Sequence, residues 1–135
     1  MIRQLDNHVM VSGQVAPNEV AGLAQQGVTM LVNNRPDGEE PGQPLASEIE
    51  DAAAAAGIGY RFVPIIRGIG PADVEEMQEA MRAAEDGKLL AFCRSGTRSA
   101  LAIALAKCEE GVSAEEVVKQ LNQAGFDHGP IAHLL

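Results

Sequence analysis

Residues 89–107 read LLAFCRSGTRSALAIALAK, in which an apolar run passes through a short polar loop straight into a second run that is apolar on nearly every side. Neither run has a polar face to turn to water, so both belong in the interior of the fold. A buried strand, Leu89 to Phe92, followed at once by a buried helix, Ala100 to Lys107, is compatible with few architectures. It requires a sheet covered by helices, with this strand and this helix near the middle.

The remaining punctuation agrees. His8 to Val15 alternates as a strand, Pro17 to Gln26 reads as a short helix stopped by Gly27, and Val28 to Val32 reads as a buried strand. NNRPDGEEPGQP then carries three prolines, two glycines and three acids, which excludes regular structure and predicts a long loop. Leu45 to Ala56 is a helix stopped by Gly57, Tyr60 to Pro64 a strand, Ile65 to Gly70 a loop, and Pro71 to Glu85 an acidic helix. Ser113-Ala-Glu-Glu116 is a capping box for a last helix ending at Ala124, with Gly125 as its left-handed cap. The expected fold is α/β: three layers, with a mostly parallel central sheet of about four to five strands flanked by helices, in one domain spanning 1–135.

Charge narrows the partners. Ten Lys and Arg against 19 Asp and Glu give a net charge of −9, which repels phosphate backbones and argues against nucleic acid. No apolar stretch is long enough to span a membrane, and MIRQLDNH has no signal-peptide character, so a cytoplasmic protein is expected. Two cysteines, Cys93 and Cys108, are too few for a disulfide framework. With no Cys/His pair spaced for zinc and no mutual spacing among His8, His128 and His133, neither a metal nor a cofactor is expected.

The chemistry gathers between the buried strand and the buried helix. The amides of Arg94, Ser95, Gly96, Thr97 and Arg98 can curl around the Cys93 sulfur. The following helix presents its positive end, and Arg98 returns a guanidinium to the same space. All three effects favour a nucleophilic thiolate. Gly96 supplies the backbone freedom for the curl, and Ser99 stands where its hydroxyl can donate to the sulfur or to a departing group, or simply cap the helix.

VSGQVAP, LVNNRPDGEEPGQP, AAAAGIGYRFVPI and FCRSGTRSALA together resemble the phosphatase-like domain of beta-lactamase hydrolase-like proteins, over nearly the whole chain. The resemblance implies a fold of the cysteine-dependent, dual-specificity protein phosphatase type. It also implies either phosphatase or rhodanese-like sulfurtransferase activity, and a possible sulfide-oxidising partner enzyme. Phosphatases of this fold read His-Cys and then, six residues after the Cys, Arg; here Phe92 replaces the His and Arg98 stands five after Cys93. One residue is about 3.5 Å of contour. The shorter cradle, CRSGTR, is similar to that of single-domain rhodaneses.

Such phosphatases also place an aspartic acid about thirty residues before the cysteine to protonate the leaving oxygen, a contribution of roughly 10²–10⁴ in rate. This chain has VPIIRG there, without an acid. Asp37, Glu39 and Glu40 could substitute only by folding over Cys93. Sulfur transfer needs no such acid. The expectation from sequence is therefore a sulfurtransferase that passes sulfane sulfur through a Cys93 persulfide, with a phosphatase working through a phosphocysteine as the alternative and a non-catalytic anion-binding module as the third reading. The substrate is a small anion: thiosulfate, a persulfide or a phosphate ester.

Secondary candidates surround this loop. Arg35 is either a second cation facing the anion or a pin pairing with Asp37 or Glu39, with Asn33 and Asn34 available to orient it. Arg67 stands in the loop where the phosphatase acid would be and could bind an anionic donor or acceptor; it could equally be a solvated surface residue. Gln14 either lines the pocket or closes a strand, and Cys108 is expected to fill core volume. Asp73, Glu75, Glu76 and Glu79 suit the start of an acidic helix.

Overall fold

The computed structural model describes all residues, Met1–Leu135. Five strands, β1 (Ile2–Gln4), β2 (Val9–Ser12), β3 (Val28–Asn33), β4 (Gly59–Phe62) and β5 (Lys88–Phe92), form one sheet in the order β1-β2-β5-β3-β4. β2, β5, β3 and β4 run parallel, and β1 pairs antiparallel with β2 at one edge. Five helices accompany them: α1 (Val20–Gln25), α2 (Ala46–Ala56), α3 (Pro71–Ala83), α4 (Thr97–Glu109) and α5 (Ala114–Ala124). Short 3-10 turns occupy Pro17–Glu19 and Gly129–Leu134.

The alternation of side chains across the strands divides the core in two. Val9, Val11, Met30, Val32, Leu89 and Ala91 face α3, α4 and α5, whereas Met10, Leu31, Leu90 and Phe92 face α1 and α2. The α4 helix is buried at every residue from Ser99 to Lys107, as its lack of a polar face requires. Lys107 is accommodated there because its ammonium donates to Asp6 Oδ2 at 2.5 Å and to Gln120 Oε1 at 2.8 Å. Asp6 also accepts the amides of His8 and Val9. Its burial opposes ionisation, but the Lys107 hydrogen bond and the two amides outweigh this and hold its carboxyl below the usual range.

Three readings from sequence need correction. The first strand is shorter than His8 to Val15, and a further strand, β1, precedes it. All three β1 residues are exposed, so no burial pattern marks them; pairing with β2 and the Asp6-centred turn create the strand. The capping box at Ser113 forms by its first half, Ser113 Oγ accepting from the Glu116 amide at 3.1 Å. Cys108 is only half-buried: it packs against the edge of the main core and also lines a surface cavity. Burial pushes its thiol up from the ordinary value.

Register decides where the site lies. Ser12 and Asn33 both pair with Phe92, and Asn33 also pairs with Phe62, so the four parallel strands end in line. The segments that follow, starting at Gly13, Asn34, Val63 and Cys93, leave the same carboxyl edge, where sites of open α/β sheets gather.

Candidate active site

Cys93 is fully buried at the end of β5, and its Sγ accepts the Gly96 amide at 3.1 Å. Gly96 has φ 94°, a conformation that L side chains rarely adopt, and is the N-cap of α4. A Cβ there would also meet Phe126 and the Ser12 carbonyl at 3.4 Å. The wall behind the loop is Gly13: a Cβ on it would stand 2.9 Å from the Arg94 carbonyl oxygen. VSGQ therefore contributes a close backbone approach that the spacing of polar residues does not announce.

Ser99 is placed differently from expectation. It is the third residue of α4 and cannot be its cap, and its fully buried hydroxyl donates to Asn34 Oδ1 at 2.8 Å. The partner is the centre of the site's framework. Asn34 donates its Nδ2 to the Val63 carbonyl at 2.9 Å and its amide to the Phe92 carbonyl at 2.8 Å, and its own carbonyl accepts from the Ile65 amide at 3.0 Å. One buried residue, through its side chain and its backbone together, thus ties the end of β3 to the segment after β4, the end of β5 and the first turn of α4.

The loop Asn34–Leu45 closes over the cradle. Arg98 donates Nη1 to Glu39 Oε2 at 2.7 Å and to the Ile65 carbonyl at 2.8 Å, and Nη2 to Glu39 Oε1 at 2.8 Å. Of the five guanidinium N–H groups, this leaves Nε–H and one Nη2–H for an incoming anion. The Glu39 carboxylate, together with neighbouring Cys93, raises the Arg98 pKa. The Arg98 hydrogen bond, assisted by Arg35, pulls Glu39 down to about 2. Glu39 is therefore a carboxylate, held two-pronged by a charge-assisted fork.

Arg35 is buried and serves as the pin. Its Nε donates to Glu39 Oε1 at 3.0 Å, Nη2 to Glu40 Oε1 at 2.5 Å and Nη1 to Gln14 Oε1 at 3.0 Å. Its partners are Glu39 and Glu40, whereas Asp37 accepts the Ala46 amide at the start of α2. Asn33 orients it by accepting the Arg35 amide at 2.9 Å. Arg94 is exposed and pairs with Glu40 at 3.4 Å. Ser95 and Thr97 bond to each other through their hydroxyls. Arg67, in the loop after β4, is exposed and makes no hydrogen bond or ion pair within the chain. Asp73 caps α3 by accepting the Gly70 amide.

Comparison with known proteins places this arrangement. Residues 1–110 match the model of the phosphatase-like domain of beta-lactamase hydrolase-like proteins. The chain belongs to that family. The Beta-lactamase hydrolase-like protein of Xylella fastidiosa is 38% identical over 130 residues, which is 95% of this chain but 30% of that protein. The chain thus spans under a third of the length of that relative. A crystal structure of a candidate phosphatase from Neisseria meningitidis is 31% identical, with a TM-score of 0.82 over 98% of this chain and 94% of the other. Kinase associated phosphatase is 18% identical, with a TM-score of 0.70 over 96% of this chain and 83% of the other, a likeness of fold. The fold is that of the cysteine-dependent phosphatases.

Proposed function

We propose that the chain is a phosphatase acting on phosphate monoesters through Cys93. The supporting observation is the cradle itself: a buried sulfur on the Gly96 amide at 3.1 Å, at the start of a buried helix, with Arg98 beside it. The family and the Neisseria likeness add weight to this reading over the sulfurtransferase expected from loop length.

In the first step Cys93 Sγ attacks phosphorus, the bond to the ester oxygen breaks, and a phosphocysteine forms. The Arg98 fork and loop amides carry the phosphoryl oxygens through the transition state. Water then cleaves the S–P bond, releasing orthophosphate and restoring the thiolate. Because Cys93 is fully buried and Glu39 engages Arg98 from above, the Glu39–Glu40 segment moves aside to admit substrate. Glu39 is ionised, residues 63–70 after β4 contain no acid and Asp73 is engaged in capping α3, so the leaving group departs with little help and esters of acidic alcohols such as phenols are the better substrates.

The test is orthophosphate release from phenyl phosphate by the intact chain and by Cys93→Ser, with rapid-quench mass spectrometry to trap the phosphocysteine. Release by the wild type alone is expected. The five-residue step from Cys93 to Arg98 favours a second reading, sulfur transfer through a Cys93 persulfide. Gain of one sulfur from thiosulfate, lost again to glutathione, without phosphate release would make that reading the function. Binding of oxyanions that survives Cys93→Ser, with neither reaction, would make the chain a binding module.

A further inference from the structure

An apolar cleft lies beside the cradle and shares one residue with it, Arg98. The cleft measures about 440 Å³ and lies between the segment after β4, the first turns of α4 and the C-terminal 3-10 turn. Six of its walls are apolar, namely Ile65, Ile66, Ile69, Leu101, Ile131 and Leu134, and its one cationic wall is Arg98. Ile66 is 73% exposed and Leu134 54% exposed, large apolar side chains kept at the mouth of a concavity without an intramolecular partner. Past Ile69 and Leu134, which it shares, a second cavity of about 380 Å³ continues toward Cys108. Each volume suits a small organic ligand, for which about 300–1,000 Å³ is usual.

The pairing is what identifies the occupant. A guanidinium at one end and aliphatic walls along the rest fit a molecule with an anionic head and an apolar body. On a chain whose net charge is −9, an acidic protein surface would be repelled, while a small amphipathic anion meets positive charge only where it docks. We infer that the substrate class is a phosphate monoester whose leaving group is apolar and extended, with the phosphoryl group on Arg98 and the body in this cleft. The inference rests on the phosphatase reading for its chemistry, though the cleft and its complementarity to an amphipathic anion stand without it. His133 also lines the cleft and adds one polar contact at its wall.

The test is a homologous series, phenyl, 4-ethylphenyl, 4-butylphenyl and 4-hexylphenyl phosphate. The leaving-group acidity hardly changes along it, so only apolar contact varies. For full burial of added methylenes kcat/KM should rise on the order of fourfold each, and roughly twofold in an open cleft. Ile66→Ser and Leu134→Ser, both exposed positions that should fold normally, are expected to reduce the gain from phenyl to 4-hexylphenyl severalfold. Ile2→Ser, on the far edge strand, should preserve the gain.

Alkylphosphonates of the same lengths, which cannot be hydrolysed, report binding alone. Phosphate release that is independent of chain length overturns the cleft assignment and leaves the phosphatase. Absence of release with alkylphosphonate affinity still rising with length overturns the phosphatase reading and keeps the cleft as an amphipathic-anion site. A flat phosphonate series together with no turnover overturns both, and a gain that survives both serine variants overturns the placement of the apolar body.

Discussion

Two segments leave the same sheet edge and meet over one sulfur, and they are built in opposite ways. Cys93 to Gly96 is short, shaped by backbone: an amide on the sulfur, a glycine at φ 94° and a helix start. Asn34 to Leu45 is long and shaped by side chains: Asn34 joins the Val63 carbonyl to the Ser99 hydroxyl, Arg35 gathers Glu39, Glu40 and Gln14, and Glu39 reaches across to Arg98. The Cys93 sulfur is thus positioned by local chain geometry within a few residues. Access to it, and the charge an anion meets, are set by pairings between residues 59 apart in the chain.

The sharpest way to test this contrast is Arg98→Ala, which removes the guanidinium that Glu39 of the long loop holds with both carboxylate oxygens. Losing a preorganised oxyanion donor should lower kcat/KM for phenyl phosphate by roughly 10²–10³. A smaller loss would transfer the anion-binding role to the loop amides.

Asn34→Ala comes next. It strands the buried Ser99 hydroxyl and the Val63 carbonyl, so unfolding by urea should show a loss of about 2–3 kcal/mol. Ser99→Ala should lose about 1 kcal/mol. If Ser99→Ala instead left stability intact and cut turnover, the hydroxyl would return to the catalytic group.

Glu39→Gln separates two uses of the clasp. The carboxylate competes with an anion for Arg98 and repels it, so its removal should tighten vanadate binding about tenfold, measured by inhibition. Weaker binding would show that Glu39 aims Arg98 and that the anion uses the free Nε edge. The same variant carries a pH signature. Glu39 is depressed from 4.5 to about 2, so its contribution to stability is present above about pH 4.5 and disappears as pH falls toward 2. The stability difference between wild type and Glu39→Gln should therefore shrink through that window. Arg67→Ala should change kcat/KM by less than about twofold, since nothing in the fold engages the side chain; a tenfold loss would place Arg67 on the substrate.

How much of this was readable in the chain varies with the range of the interactions. The apolar run 89–107 carries its burial in its composition, and Cys93, Gly96 and Arg98 lie within six residues, so cradle, strand and helix were all legible there. The long loop was legible only as a loop, because prolines and glycines exclude regular structure without saying where its acids point. Ser99 was misassigned because proximity in sequence to Cys93 was weighed without knowledge of Asn34, 65 residues away. The edge strand β1 escaped because an exposed strand has no burial pattern, and the apolar cleft escaped because its walls come from three distant segments. Periodicity and local spacing by themselves determined the layers and the cradle around the Cys93 sulfur, since both arise from neighbours along the chain. Which side chain holds the arginine, what closes over the cradle and what cavity lies beside it were decided by the alignment of four strand ends, a property that exists only once the sheet has formed.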